Sequence, residues 1–570
     1  MRVSFLPDAG IERPYSAGTL AFLAVIGGFL GAFLLYPILY VFREAFWVEG
    51  SFSLAYFRFI LKNPVYRGAI LNSILLGAAA TAATTLLAVP LAFLATRYRF
   101  HGKGILTGLL LVPMIMPPFV GAIGMRHLLA RGGSINLILQ KLGLVSQGID
   151  FLGAGGFWGV VALEVLHLYP IMYLNVAAAL ANVDPALEEA ARNMGDSGFR
   201  LFRKITFPLM LPGYFAGAVL VFIWAFTDLG TPLIFGYQRV AAVQVFDKIN
   251  DLNTNPMAYA LVVALIVLSS GAFLTARLFV GRGGYEMLSK GATARQEKPI
   301  SGARAVLIVG GLLTVVAVAL LPHVSVFLTS ITTTWSDTVF PTQTTGKYYA
   351  QAFQHEYARI GVRNSLLLSF ASTFLDILLG VGIAYMLVRR RFYGAGLLDA
   401  LTMMPLALPG VVLAFGYVAC FRETPLDPRV NPFPLLIIAY AVRRLPYMVR
   451  AAYAGFQQTS VTLEEAAMNV GASPRRALFK ITVPLIMANL IAGAVLCFSF
   501  AMLEVSDSLI LAFREQHWPL TKAIYQLHTL ITQGDFIASA MGILAMLFLA
   551  ATLLIAGALL GKKMGQLFRV

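Results

Sequence analysis

Gly18–Phe42 runs for 25 residues without a charged side chain. About 20 consecutive apolar residues carry a helix across a bilayer, and a helix satisfies its own backbone hydrogen bonds in hydrocarbon. Comparable runs follow at Ala69–Thr96, Ile105–Gly124, Phe157–Ala181, Leu209–Phe235 and Met257–Ala276. A second set lies at Ala305–Ser330, Ser365–Val388, Leu397–Cys420, Pro434–Phe456, Leu485–Leu511 and Phe536–Leu560. The sequence therefore predicts an all-α integral membrane protein with 12 transmembrane helices. Composition agrees. Charged residues make up 12% of the 570-residue chain, too few to cover a water-soluble core of that size, since soluble domains carry about 25%.

The net charge of +16 would fit nucleic acid if the charges formed one patch. They do not. Lys and Arg cluster at Arg97–Lys103, Arg192–Lys204, Arg277–Arg304, Arg389–Arg391, Arg475–Lys480 and Lys562–Arg569, which are alternate loops. The positive-inside rule puts these loops and both termini in the cytoplasm of a bacterial cell with a multi-pass inner-membrane protein, and no nucleic-acid partner is expected. The first apolar run exceeds the 7–15 residues of a signal-peptide core and is expected to stay in the membrane. Cys420 and Cys497 are the only cysteines, without metal-ligand or disulfide-framework spacing.

The chain repeats itself. Glu188–Pro208 and Glu464–Pro484 share 12 of 21 residues at a shift of 276 without a gap. The same shift aligns Pro170 with Pro446 and Asp228 with Glu504. Upstream the shift becomes 292, pairing Tyr56 with Tyr348, Asn72-Ser73 with Asn364-Ser365, and Pro113/Pro117 with Pro405/Pro409. Residues 126–155 absorb the difference. Two six-helix repeats of the same orientation are expected, 1–280 and 303–570, joined by a cytoplasmic linker at 281–302.

Within the repeat, Glu189-Ala190-Ala191 precedes Gly195 and Ile205-Thr-Phe-Pro208; Glu465-Ala466-Ala467 precedes Gly471 and Ile481-Thr-Val-Pro484. Pro185 in one copy, and a Thr462–Glu465 capping box in the other, would start a short helix that each glycine ends in a left-handed turn, with Pro208 or Pro484 opening the next span. The pattern resembles the EAA loop of permeases in binding-protein-dependent ABC importers of type I. The resemblance extends over nearly the whole chain, with Phe207 and Val483 where the family most often has Leu. It implies a permease fold whose short cytoplasmic helices dock a separate ATPase. The residues that carry this coupling are then Glu189, Ala190, Ala191, Gly195, Glu465, Ala466, Ala467 and Gly471. Gly346-Lys347 is the nearest approach to a phosphate-cradling loop and fails at both ends. The chain is thus expected to be a transport subunit and not an enzyme, with no cofactor of its own. ATP and Mg belong on two copies of the ATPase.

Ionisable residues within spans are functional candidates: Glu164, His167, Asp228, Asp376, Asp399, Arg443, Arg444, Glu504 and Asp507. His167, Asp228, Arg443 and Glu504 stand out as candidate pathway residues, since His167 aligns with Arg443 and Asp228 with Glu504 at the 276 shift. For any single one of them interhelical pairing or snorkelling is the commoner explanation, and the paired acids are the better candidates. No metal-ligand set is formed. Pro113, Pro117 and Pro118, with Pro405 and Pro409, should distort the third span of each half. Tyr56 and Tyr348 open paired outward segments where a soluble or lipid-anchored substrate-binding protein could dock, although aromatic belts facing membrane lipid explain them too.

A fused chain with one EAA loop per half resembles most closely the ferric-iron permease group, as does Arg443-Arg-Leu-Pro-Tyr447. Ferric iron is the substrate this implies. Importers of aminoethylphosphonate, thiamine or another small solute share the form, and a secondary transporter would leave the duplicated loop unexplained.

Overall fold

The computed structural model describes residues 17–560 apart from 49, 154–155, 250–255, 283–296, 336 and 391. Most of the expected linker, and Lys562, Lys563 and Arg569, lie outside the described residues. Among those described, nine helices are long and apolar enough to cross a membrane, and two bent pairs raise the number to 11. Phe433–Gln458 is a further 26-residue helix, set apart by Arg443, Arg444 and Arg450. It packs on Glu356–Arg389 as Phe157–Ala181 packs on Pro64–Arg97. Twelve passages are compatible with this arrangement.

The prolines bend the third spans. Lys103–Ile115 meets Pro118–Lys141 at 95°, and Ala395–Leu406 meets Gly410–Cys420 at 101°. A proline lacks the N–H that would continue the helix and clashes with the preceding turn.

The fifth spans differ from expectation. Instead of continuing through Leu209–Phe235 and Leu485–Leu511, they stop at Thr227 and Met502 and resume at Gly230–Phe235 and Ser506–Leu511. Asp228 is extended (φ −62°, ψ 135°), and its carboxylate accepts from the N–H groups of Gly230 and Thr231 at 3.3 and 2.9 Å. Such local bonds compete with helix continuation. At their other end the same spans begin earlier than Pro208 and Pro484. Phe202–Thr206 and Leu478–Thr482 form π-turns, in which the N–H of Phe207 reaches the Phe202 carbonyl and that of Val483 the Leu478 carbonyl. Each basic segment thereby runs straight into its span.

First spans cross between halves. Gly124 and Gly416, equivalent at the 292 shift, each receive the first span of the other half. A Cβ on Gly124 would lie 2.6 Å from the Val326 nitrogen, and one on Gly416 3.0 Å from Pro37 Cβ. Tyr417 donates to the Phe33 carbonyl at 2.6 Å, and Ser325 to that of Gly124. These crossings join the two repeats into one body.

Candidate functional site

Two regions bring the singled-out residues together, one at the helix ends that carry the EAA segments and one between the halves.

At the first, Pro185–Asn193 and Val461–Asn469 are short helices. Asp184 caps the former, accepting from Ala186 N–H at 2.9 Å. The latter is capped by Ser460, which accepts from Thr462 N–H at 3.3 Å, so the expected Thr462–Glu465 box does not form. Thr462 already lies inside the helix, and its hydroxyl bonds Ser460 Oγ at 2.6 Å. Gly195 and Gly471 take φ of +92° and +93° in open space. Asp196 N–H then returns to the Ala191 carbonyl, and Ala472 N–H to that of Ala467, closing each helix with a Schellman turn.

Each helix is anchored by its first glutamate. Glu188 is buried, accepts from Arg97 through both terminal nitrogens, and accepts from Thr206 Oγ1 at 2.8 Å. Glu464 accepts from Arg389 Nε at 3.0 Å, while Arg389 Nη2 donates to the Thr459 carbonyl at 2.8 Å. Arg97 and Arg389 are the last residues of two 34-residue helices. Ala191 and Ala467 pack inward, whereas Glu189, Ala190, Glu465 and Ala466 face out. Around them the equivalent pairs Leu187/Leu463 and Met194/Val470 are exposed, Met194 at 79% and Val470 at 87%. An isolated protein rarely leaves such side chains clustered in water.

At their other ends the same 34-residue helices hold a second matched pair. Ser73 Oγ accepts from Ala241 N–H at 2.9 Å, and Ser365 Oγ from Leu520 N–H at 2.7 Å. Asn72 donates to the Arg239 carbonyl, and Asn364 to those of Gln516 and Trp518. Ser73 and Ser365 each precede the anchoring arginine by 24 residues, about 36 Å of helix.

Between the halves lies a cavity of about 210 Å³ walled by the prolines of both elbows and the breaks of both fifth spans. His167, Asp228, Arg443 and Glu504 all line it, with Glu164 and Arg444. Its two sides share a backbone plan and differ in charge. In the second half Arg443 Nη1 donates to Glu504 at 2.7 Å and to Asp507 at 3.5 Å. Arg444 donates to Glu504 and, at 2.8 Å, to the Phe500 carbonyl. Gly410 makes room for this; a Cβ there would lie 1.8 Å from Arg443 Nη1. In the first half His167 Nδ1 lies 3.1 Å from the Pro113 carbonyl. Glu164 accepts from Thr231 Oγ1 at 3.2 Å and stands beside Asp228. Among the described residues no ion pair involves either carboxyl, and no group of three or more His, Cys, Asp or Glu could hold a metal ion.

The remaining span residues stand apart. Asp399 pairs with Arg450 at 3.1 Å, and Asp376 is buried beside Cys497. Tyr348 is not available for docking. It is 1% exposed, its ring stacked on Phe536 at 5.1 Å, because the Lys347–Gln354 helix turns that face into the core; Tyr56 packs partly against the core as well. Sequence reasoning passed over Glu188 and Glu464 in favour of the next residue, and did not single out Arg97 and Arg389. Their signal was present, since both pairs match at the repeat shifts.

A duplicated, crossed helical body, with a charged cavity between its halves and a matched pair of surface helices at one end, defines a membrane permease. The chain belongs to the family described as binding-protein-dependent transport system inner membrane component, which matches residues 65–282 and 376–566. It is 27% identical over 483 residues to the ferric transport system permease protein FbpB of Actinobacillus pleuropneumoniae, covering 83% of this chain and 69% of that one. It is 24% identical over 487 residues to the Fe(3+)-transport system permease protein FbpB 2 of Haemophilus influenzae, covering 85% and 88%. A solved chain of a bacterial ABC transporter importing alginate covers 45% of this chain at 16% identity and a TM-score of 0.35, too loose a likeness to bear on the fold.

Proposed function

We propose that this permease forms the complete solute pathway of a ferric-iron importer, driven by two copies of a cytoplasmic ABC ATPase, one on each EAA helix. The observation that carries the reading is the duplicated anchor, Arg97 on Glu188 and Arg389 on Glu464, beneath an exposed apolar edge on each helix. ATP and Mg bind on the ATPase, and this chain needs no cofactor. The ends bearing Arg97 and Arg389 face the cytoplasm, as do both termini. A substrate-binding protein delivers cargo at the opposite end.

Iron as cargo is supported by the names of the relatives and by the cavity's charges. Glu164 and Asp228 lie outside the arginine pairs, while Arg443 and Arg444 are already engaged by Glu504. Carboxyl oxygens outside any ion pair, with both arginines already engaged, suit a cation better than an anion such as a phosphonate. In vesicles carrying the purified permease with its ATPase and binding protein, iron should enter only with ATP. Uptake driven by an ion gradient without ATP would replace this reading with a secondary transporter.

A further inference from the structure

Lys522 stands in the first turn of the Leu520–Leu530 helix and is 8% exposed. Its Nζ donates to the Leu509 carbonyl at 2.7 Å and lies 5.9 Å from the ring centre of Phe246, a residue of the other half. No carboxylate among the described residues pairs with it.

This lysine lies at a contact between the halves, on the side remote from the EAA helices. Thr521, its neighbour, donates to the backbone carbonyl of Glu504 at 2.6 Å, and Glu504 lines the cavity. Over the cavity the two fifth-span breaks touch; a Cβ on Gly230 would lie 3.1 Å from Val505 Cγ1. The Lys522–Phe246 contact again joins the halves, on the helix that Ser365 anchors 24 residues from Arg389. Packing does not demand a lysine. The register fixed by Ser73–Ala241 and Ser365–Leu520 puts Val243 in the equivalent place, fully buried. An ammonium removed from water without a counter-ion is costly, so the charge at this point is a feature to be explained.

We propose that Lys522 is an electrostatic valve, a fixed positive charge in the outer closure that bars cations from passing the shut end while the cavity empties toward the EAA helices. Fixed cationic groups exclude cations from narrow membrane pathways in this way. The proposal rests on the cation cargo inferred above.

The test uses the whole complex in vesicles without ATP, with Mn²⁺ outside and a Mn²⁺-quenched dye trapped inside. Lys522→Gln keeps a donor for the Leu509 carbonyl and removes the charge; Lys522→Met is a second charge-free variant should the first not assemble. Either should admit Mn²⁺ at least about tenfold faster than the unaltered protein, because repulsion between like charges a few ångströms apart in a poorly polarisable wall exceeds that factor. Lys522→Arg should stay closed, and glycerol entry should not change in any variant. Charge-free variants as tight as the unaltered protein, or a leak of Mn²⁺ and glycerol alike, would overturn the valve. ATPase stimulation by the binding protein, measured on the same vesicles, reports on the importer reading independently.

Discussion

Arg389, the last residue of a 34-residue helix, donates to Glu464 in the first turn of an EAA helix at 3.0 Å. The same helix holds the start of the Leu520–Leu530 helix through Ser365, about 36 Å away. Arg97, Glu188 and Ser73 repeat the arrangement. A displacement of either EAA helix therefore has a helical route to the opposite end of its own half, interrupted only in the first half by Pro90.

Breaking that anchor should uncouple the permease without unfolding it. Glu188→Ala leaves Arg97, its side chain 13% exposed, without its carboxylate; a fully buried pair would lose roughly 3–5 kcal/mol, and the partial exposure of Arg97 lowers that cost. The double variant Arg97→Ala/Glu188→Ala should recover part of the loss. ATPase retention on the purified permease, and ATP-driven uptake, are expected to fall together in the single variant.

Gly195 and Gly471 test the turn itself. Both are at positive φ with nothing within 4 Å of an added Cβ, so a side chain there meets backbone strain and no steric clash. Valine should cost roughly 1–2 kcal/mol locally and misdirect the helix while the spans remain inserted. Each single variant should lower uptake, and the double variant should lower it further. Glu189→Lys and Glu465→Lys reverse the charge of exposed mid-helix residues beside the apolar edge and should weaken ATPase binding similarly.

The cavity makes a different demand. Asp228→Asn retains a carbonyl oxygen to accept from Thr231 N–H and so should spare assembly and ATPase binding. It removes a charge beside Glu164, and iron uptake should fall at least about tenfold if that charge holds cargo in transit. Unchanged uptake would make Asp228 a helix cap only.

Gly124 and Gly416 govern the joining of the halves. Gly124→Val would drive its side chain into the Val326 backbone, which has nowhere to retreat, whereas Gly416→Val meets Pro37 Cβ less severely. Gly124→Val should lower the thermal midpoint of the purified permease more than Gly416→Val.

Much of this organisation was legible in the chain. Long apolar runs marked the helices able to cross a membrane, and the 276 and 292 shifts exposed the repeat. The alanine–glycine spacing predicted the left-handed turns at Gly195 and Gly471. What escaped was decided by contacts distant in sequence. Asp228 interrupts its span because its carboxylate bonds the backbone just beyond, which an apolar run does not reveal. Tyr348 looks like an interface aromatic until Phe536 is seen against it. Lys522 belongs to no motif, and only Phe246, 276 residues away, marks its place between the halves.

In the proposed importer one copy of this chain is the whole permease and engages an ATPase through each of two equivalent helices. The mass of the intact complex, solubilised in detergent with its ATPase, tests it most directly. One permease chain with two ATPase chains is the expected composition, reduced to one ATPase or none when Gly195 and Gly471 are both replaced by valine. Two copies of this chain in the smallest active complex, or two ATPases retained by the double variant with full uptake, would contradict it.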